Sequence, residues 1–490
     1  SQMTIHRSGI FGLSFAASLM LAACGGASAP ASSAPAPASS AAAAASKPAA
    51  ASSAPASSAA SASAGAPASA SVSAAAPAGS AAAAPSGPMK LGFDNPLTGP
   101  QGQAGIAYQR GFQLALAAAN NTIAGRPVDP MFVDDQAQAD VGLTKVKGLV
   151  ENDHVSAIIG FTFTPVMYAV ATYIKQSAHV PMLVTTGGAG QALMLSPQFT
   201  SPYLMRFSTV TDAHADVSAD WAYKQGFRKM VLITYDTAAG IEAGDLVASA
   251  FISRGGAVVQ EFHPSFGTTD FGPFLAQLDP SADVVATWEP GADGLHMLQQ
   301  FSTYTGQKRP TLLDMGGVAT SGNLGSLGDQ AVGVAVESSW VPSLNNPENQ
   351  AFLKAWRAKY PSDAPDPLAA QGWGTVGILQ QAAPKVNGNV ENTQQFLQAL
   401  YAVDVHDATG EVKLSSIHDI VRNIYISKIV KKGTGTDYSL LDTYSGVSDF
   451  WDRKQADLTA FSYGKLKGQW VGMTKDKLAQ MHGLTGTPSS

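Results

Sequence analysis

The sequence predicts an α/β fold in which two doubly wound parallel-sheet lobes are joined by a hinge and preceded by a disordered stalk. From Met89 onward, short β-branched segments alternate with longer amphipathic ones, a pattern typical of parallel sheets covered by helices on both faces. The alternation occurs in two series, each ending near an extended crossing segment, residues 203–207 and 332–338. This body of about 400 residues is long enough for two lobes.

Hydrophobic periodicity assigns the elements in chain order. The predicted strands of the first series are residues 90–93, 131–133, 157–159 and 182–184, and its predicted helices are 106–119, 141–151 and 165–177. The predicted strands of the second series are 230–234, 257–262, 284–288 and 311–314, and its predicted helices are one ending at 251, then 271–278 and 295–304. Helices at 349–360 and 368–381 return to the first lobe, and a strand-rich end including 425–430 closes the second.

Residues 1–23 have the features of a secretory signal peptide. A polar start with Arg7 precedes an apolar run at 10–21, which is shorter than the roughly 20 residues of a membrane-spanning helix. Leu21-Ala22-Ala23-Cys24 then resembles the bacterial lipobox, in which the cysteine is acylated after cleavage. Because Cys24 is the only cysteine in the chain, it cannot form an internal disulfide. We therefore predict that Cys24 carries a lipid that anchors the protein to the membrane.

Residues 24–88 comprise this cysteine and a linker of almost pure Ala, Ser, Pro and Gly. Such small side chains cannot bury enough apolar surface to offset the entropy of ordering the chain, and the prolines interrupt helices. The composition predicts a disordered stalk with a root-mean-square reach of roughly 40–50 Å. Signal, anchor and stalk together predict an extracytoplasmic body, at the outer face of the cytoplasmic membrane or in the periplasm.

Composition and motifs argue against several classes of function. The formal net charge is −6 and no Lys/Arg cluster occurs, which argues against a nucleic-acid partner. The 9 histidines form no H-E-x-x-H pair and a single cysteine cannot build a thiolate site, so we predict neither a metal site nor a cofactor. The sequence also has no G-x-S-x-G elbow and no G-x-x-x-x-G-K-[ST] loop. We therefore predict that the protein is not an enzyme.

Several stretches, in order, resemble the type I periplasmic binding proteins of the branched-chain amino acid class. Leu97-Thr98-Gly99-Pro100 and the helix that runs to Asn120-Asn121 are similar to the first strand–loop–helix of that family. Asp134-Asp135 ends the second strand as the family's acidic pair does, and Ile158-Ile159-Gly160 matches its third unit. The resemblance extends over about residues 89–444. It implies a Venus-flytrap fold and a protein that delivers its ligand to an ABC importer.

The resemblance and the periodicity together divide the body. The first lobe is predicted to comprise residues 89–206 and 341–411, and the second lobe residues 207–340 and 412–444. Residues 445–490 match no repeat and are left as a C-terminal extension of unknown role. Chain that crosses between lobes several times forms a hinge, and hinged lobes that shut on a ligand bind by domain closure.

The resemblance also implies a set of ligand contacts on the first lobe. In the family, a hydroxyl group near the start of the third helix and backbone N–H groups after the following strand meet the ligand carboxylate. The corresponding residues here are Thr164, Thr185, Thr186, Gly187 and Gly188. Small residues and a helix N-terminus let N–H groups converge on an anion, although glycines also occur in turns for their backbone angles alone. Gln101, in the preceding glycine-rich loop, is available to contact the ligand.

The second lobe departs from the leucine-type pattern. The acidic residue that holds the ligand ammonium in those binders falls on residues 315–317, which carry no charge, although Asp314 and Glu289 are alternatives. Because an unpaired buried ammonium costs several kcal/mol, a site without a counter-charge should reject amino acids. Aromatic side chains occur instead after strands and at a late helix: Phe161, Phe163, Trp288 and Trp373. Single aromatics more often belong to the core, but several together favour an apolar pocket.

The sequence therefore predicts a monomeric, lipid-anchored solute-binding protein that delivers a small carboxylate-bearing ligand to ABC permease subunits. The ligand is branched-chain amino acid-like or, preferably, an apolar or aromatic acid. One alternative is a ligand-sensing receptor domain that acts with a separate signalling partner, because the same fold serves in receptors. Another is a surface protein that has kept the fold and lost its ligand.

Overall fold

The computed structural model describes residues 85–99, 101–187, 190, 192–208, 211–306, 308–448, 451 and 465–481. The predicted signal peptide, the lipidation site Cys24, most of the predicted stalk and the predicted ligand contact Gly188 lie outside these residues.

The first lobe is built on a six-stranded sheet in the order β2-β3-β1-β4-β5-β6. Its strands are β1 (Met89–Asn95), β2 (Thr122–Ile123), β3 (Arg126–Asp134), β4 (Ile158–Gly160), β5 (Met182–Val184) and β6 (Leu204–Arg206). All neighbours are parallel except β2 and β3. Consecutive β1 residues from Leu91 to Asn95 are buried, because helices cover both faces of a parallel sheet.

The second lobe is built on a nine-stranded sheet. Its parallel part has the order β8-β7-β9-β10-β11, formed by β7 (Lys229–Thr234), β8 (Ala257–Phe262), β9 (Val284–Trp288), β10 (Thr311–Asp314) and β11 (Ala335–Ser338). The antiparallel part is formed by β12 (Asp404–Asp407), β13 (Gly410–Leu414), β14 (Ile420–Lys432) and β15 (Gly435–Val447). Strand β14 joins the two parts because it pairs with β11, β13 and β15.

Helices cover these sheets. Those of the first series are α1 (Gly102–Ala118), α2 (Ala139–Glu151), α3 (Thr164–Tyr173) with a π-helical turn at Ile174–Ala178, and α4 (Ala192–Leu195). Those of the second series are α5 (Thr211–Lys224), α6 (Ala238–Ser253), α7 (Gly272–Leu275), α8 (Ala292–Ser302) and α9 (Ser321–Leu327), followed by a 3-10 turn at Gly328–Ala331. The later helices are α10 (Pro347–Lys359), α11 (Pro367–Ala382) with a 3-10 turn at Ala383–Val386, α12 (Thr393–Tyr401) and α13 (Lys475–Gln480).

Helix α11 returns to the first lobe and packs closely on α1. A Cβ atom on Gly111 would lie 1.9 Å from the carbonyl oxygen of Ala369, and one on Gly372 would lie 2.1 Å from that of Tyr108. Only glycine allows this approach of the two helix backbones. The contact brings Thr375 of α11 within 3.0 Å of the Tyr108 hydroxyl group.

A buried ion pair joins the end of the first-lobe sheet to the loop between β13 and β14 of the second-lobe sheet. The Arg206 guanidinium at the end of β6 donates to the Asp419 carboxylate just before β14, with Nε 2.7 Å from Oδ1, and both side chains are fully buried. The Arg206 backbone N–H also donates to the carbonyl of His418. Losing one partner of such a pair leaves an uncompensated charge in the interior, so the pair holds the end of β6 against the loop between β13 and β14.

The described part of the C-terminal extension packs on the second lobe. Trp470 is almost completely buried, and its indole N–H donates to the Asp245 carboxylate on α6 over 2.7 Å. Lys467 pairs with Asp236, which follows β7, and α13 lies against α6. Residues 465–481 therefore cover α6, whose residues are buried from Gly240 to the end of the helix.

The predicted fold class, two doubly wound α/β lobes, is confirmed by this architecture. The predicted strands 182–184, 257–262, 284–288 and 311–314 coincide with β5, β8, β9 and β10. The predicted helix 271–278 is longer than α7, which spans only Gly272–Leu275. The long β14–β15 hairpin was predicted only as a short strand at 425–430.

Candidate functional site

The strand order reverses once in each parallel sheet. We call these two positions the switch points, and they mark the candidate site. In the first lobe the reversal lies between β1 and β4, and in the second lobe it lies between β7 and β9. Ligands of open α/β sheets bind outside the carboxyl ends of the strands at such a point. The loops that matter are therefore those after β1 and β4, and those after β7 and β9.

The two sets of loops approach each other across a cleft. A Cβ atom on Gly291, after β9, would lie 3.7 Å from Nε2 of Gln101, after β1. A Cβ atom on Gly190, after β5, would lie within 2.0 Å of the Glu242 carboxylate on α6. The carboxyl ends of the two sheets thus face one another, and Gln101 lies where the lobes come close.

Three polar side chains of the first lobe form a cluster at its switch point, which we call the hydroxyl cluster: Asn95, Thr162 and Thr186. Asn95 ends β1, and its Oδ1 accepts hydrogen bonds from Thr162 Oγ1 at 2.9 Å and Thr186 Oγ1 at 3.0 Å. Its Nδ2 is buried and has no partner among the described residues. A half-turn of this amide would place its two donors against the hydroxyl oxygens and free both hydroxyl hydrogens for a ligand.

The residues around the start of α3 have different surroundings. Thr164 begins the helix, is partly exposed, and makes no side-chain hydrogen bond within the described structure. The ring of Phe163, at the N-cap, is partly buried against the apolar core of the first lobe. Phe161 is completely buried in that core, so its ring does not line the cleft. Thr164 and Phe163 therefore remain available to a ligand, and Phe161 acts through its backbone.

The loop after β5 uses much of its hydrogen-bonding capacity internally. Thr185 donates to the Tyr108 hydroxyl at 2.7 Å, and that hydroxyl lies 3.0 Å from Thr375 Oγ1 on α11. The Gly187 N–H donates to the carbonyl of Phe161 at 2.9 Å and is not free for a ligand. A Cβ atom on Gly187 would come within 2.4 Å of that carbonyl oxygen, so this position requires glycine. Of the predicted loop residues, only Thr186 joins the hydroxyl cluster.

Three ionisable side chains of the second lobe form what we call the acidic cluster: Tyr235, Glu289 and Asp293. Glu289 follows β9, is fully buried, and neither of its carboxylate oxygens has a partner among the described residues. Burial first, and then the charge of Asp293, raise the pKa of Glu289 to about 9. Burial and the charges of Asp293 and Glu289 also raise the pKa of Tyr235. At neutral pH Glu289 is therefore an uncharged acid.

The remaining predicted contacts lie at different depths. Trp288 ends β9 and is partly buried against the larger apolar core, with its carbonyl 3.4 Å from the Tyr235 nitrogen. Trp373 lies within α11, and its ring is 5.6 Å from that of Phe352 on α10. The structure thus brings Trp288 to the switch point and places Trp373 in helix packing. Asp314 accepts from the N–H groups of Gly316 and Ala319, so its carboxylate organises its own loop.

Sequence reasoning missed two residues at the switch points, Asn95 and Tyr235. Each is a polar residue directly at the end of a buried strand, and this is the signal that identifies both. The described residues contain no group of three or more His, Cys, Asp or Glu side chains that could hold a metal ion. Within the same part of the chain, no helix is both long and apolar enough to cross a membrane.

Comparisons with known proteins agree with this architecture. The profile of the family described as "Periplasmic binding protein" matches residues 88–434. The chain belongs to this family. The Leu/Ile/Val-binding protein homolog 6 of Brucella abortus (strain 2308) is 25% identical over 361 residues, which cover 72% of this chain and 90% of that protein.

Two solved structures are similar over almost their full length. The ABC transporter substrate-binding protein from Sphaerobacter thermophilus is 30% identical, with a TM-score of 0.70 over 74% of this chain and 99% of that chain. A solute binding protein of an ABC transporter from Rhodopseudomonas palustris BisB5, in complex with 3,4-dihydroxy benzoic acid, is 26% identical, with a TM-score of 0.68 over 74% of this chain and 98% of that chain.

Membership of the family establishes the class of function. The periplasmic binding protein is an extracytoplasmic solute-binding component of an ABC transporter: it binds a small molecule, works with permease components, and is not an enzyme.

Proposed function

We propose that this periplasmic binding protein captures a small aromatic carboxylate between its lobes and, held at the membrane by lipidated Cys24, presents it to an ABC permease. The observation that carries the proposal is the charge of the two switch points. One offers neutral hydroxyl and amide groups, and at the other burial raises the pKa of Glu289 to about 9, so the Glu289 carboxyl group does not supply the counter-charge that an amino acid's ammonium group needs.

The first lobe suits the carboxylate of the ligand. Thr164 has a hydroxyl group without a partner in the described structure at the start of α3, where the helix dipole favours an anion. The hydroxyl cluster lies at the neighbouring strand ends and can turn its donors toward the ligand. A carboxylate bound there would receive several hydrogen bonds without a buried cation.

The second lobe suits an uncharged ligand body. Trp288 of this lobe presents aromatic surface, as does Phe163 of the first lobe, and apolar walls with a few placed polar groups are the usual composition of small-molecule pockets. The relative from Rhodopseudomonas palustris BisB5 was solved with 3,4-dihydroxy benzoic acid, a ligand of this chemical class. The proposed ligand body is therefore a benzene ring.

A thermal-shift panel tests the class of ligand. Because a ligand that binds only the folded state stabilises it by RT ln(1 + [L]/Kd), benzoate and its hydroxylated derivatives should raise the melting temperature. Leucine and isoleucine at the same concentrations should leave it unchanged. A shift with leucine and none with the aromatic acids would overturn the proposal in favour of an amino-acid binder.

Removing the Thr164 hydroxyl group tests the carboxylate site. Thr164→Ala should weaken binding of an aromatic carboxylate by about 1–3 kcal/mol, the cost of losing a hydrogen bond to a charged group. Thr144→Ala is the matched control, since Thr144 lies on the exposed side of α2 and bonds only to the Asp140 carbonyl. Isothermal titration calorimetry measures both, and an unchanged affinity for Thr164→Ala would place the carboxylate elsewhere.

A further inference from the structure

We propose that Glu289 selects ligands that carry a hydroxyl group at the end of the ring opposite the carboxylate. The inference rests on the proposed function and specifies the chemistry of the ligand's far end. Three observations support it: the position of Glu289, the absence of hydrogen-bond partners for its carboxyl group in the described structure, and the hydrogen bonds that its neighbours make to other groups.

Glu289 lies at the place where a ligand is expected to bind. It is the first residue after β9, at the point where the strand order of the second lobe reverses between β7 and β9. The backbone here is closely packed, because a Cβ atom on Gly316 would lie 3.0 Å from the Glu289 nitrogen. Two residues later, Gly291 lies beside Gln101 of the first lobe. Glu289 is therefore on the second-lobe face of the cleft, across from the proposed carboxylate site.

The Glu289 carboxyl group has no hydrogen-bond partner in the described structure, although buried polar groups usually have one. Glu289 is 0% exposed, and within the described structure neither Oε1 nor Oε2 makes a hydrogen bond. Buried polar side chains nearly always have at least one partner, and a buried carboxyl group without one destabilises the fold. A ligand group that bonds to this carboxyl group would remove that destabilisation.

The neighbouring side chains do not supply the missing bonds. The Tyr235 hydroxyl group donates to the carbonyl oxygen of Pro290. Asp293 Oδ2 accepts from the Gly267 N–H at 2.6 Å. The other two members of the acidic cluster thus make their hydrogen bonds elsewhere, which leaves the Glu289 carboxyl group for a ligand.

A hydroxyl group is the chemical match. A protonated carboxyl group has one donor and one free acceptor, and a hydroxyl group can satisfy both at once. A bare aromatic ring would leave both oxygens without partners. An ammonium group would have to carry its charge into the same buried position, at a desolvation cost that a hydroxyl group avoids.

The test compares two ligands that differ by one hydroxyl group, benzoate and 4-hydroxybenzoate, by isothermal titration calorimetry. The parent protein should bind 4-hydroxybenzoate at least ~10-fold more tightly, the equivalent of about 1.4 kcal/mol. Glu289→Leu should lose this preference and bind benzoate at least as well as the parent does, since it removes the unpaired carboxyl group. Glu289→Gln should keep part of the preference, because an amide also donates and accepts.

A matched control separates this effect from a general disturbance of the lobe. Glu337→Gln alters a buried glutamate on β11 that contacts His214 and lies outside the proposed site. It should keep the parent's preference, and the melting temperature of each ligand-free variant verifies folding. Equal affinity of the parent for the two acids, or an undiminished preference in Glu289→Leu, would overturn the role of Glu289 and leave the proposed function standing. If neither acid binds the parent, the proposed function fails as well.

Discussion

At the residue scale, Asp94 is the least expected side chain in the first lobe. It lies in the central strand β1, is fully buried, and neither carboxylate oxygen has a partner in the described part of the chain. A Cβ atom on Gly142 of α2 would lie 3.3 Å from Asp94 Oδ2 and 3.1 Å from the Cβ of Asp135, so the two acidic side chains converge on α2. Burial, and then the charges of Asp135 and Asp134, raise the pKa of Asp94 well above its usual range.

The raised pKa makes stability depend on pH. The folded state holds a proton on Asp94 that the unfolded state releases above about pH 4, so the free energy of unfolding falls as the pH rises toward the raised value. Asp94→Asn removes this term, and its stability relative to the parent should increase between pH 5 and pH 8. Urea unfolding at both pH values measures it. The exposed Asp129→Asn on β3 should follow the parent, and a parallel pH dependence of Asp94→Asn and the parent would contradict the argument.

A site residue can be predicted from the sequence when its position follows from the local pattern. It cannot be predicted when its position depends on residues that are distant in sequence. Thr164 was predicted from the family resemblance and Glu289 from its place after a strand, and the structure puts both near the switch points. Phe161 was also predicted from its place after a strand, but a positive φ of 75° turns the chain there and its ring enters the core. Asn95 gains its position from Thr162 and Thr186, which are distant in sequence and meet it only in the fold.

At the scale of elements, strands and helices of the βα units follow from local pattern, because burial of both sheet faces produces continuous apolar runs. The antiparallel hairpin β14–β15 did not, since most of β15 is exposed and it has only one neighbouring strand, β14. The packing of the C-terminal segment 465–481 was not predicted from the sequence either. Its anchor is a single tryptophan bonded to Asp245, which is 225 positions away in sequence.

That segment should contribute to the stability of the second lobe. Trp470→Ala removes a side chain that is 1% exposed and leaves Asp245 without its indole donor, so the free energy of unfolding should fall by about 3–5 kcal/mol. The adjacent Val471 is 53% exposed, and Val471→Ala should change stability by less than about 0.5 kcal/mol. Urea unfolding compares the two variants. Equal stabilities would mean that residues 465–481 do not hold α6.

At the scale of the whole molecule, the two lobes share one cleft whose width controls access to both clusters. Lobe sheets that face each other through their strand ends, joined by several crossing segments, are the usual basis of hinge closure. Gly190 of the first lobe lies close to Glu242 of the second, since a Cβ atom at position 190 would lie 1.7 Å from Glu242 Oε1. We therefore expect closure around a ligand to depend on the absence of a side chain at position 190.

A wedge at this position tests closure. Gly190→Val places a branched side chain where the Glu242 carboxylate lies, so the lobes should be held apart and affinity for an aromatic carboxylate should fall by at least ~10-fold, about 1.4 kcal/mol. Small-angle X-ray scattering should show ligand-induced contraction of the parent and none of the variant. Adding Glu242→Ser makes room for the valine and should restore part of both effects. If Gly190→Val binds the ligand and contracts as the parent does, binding does not require the close approach of Gly190 to Glu242. The lobes would then close without bringing these two residues together.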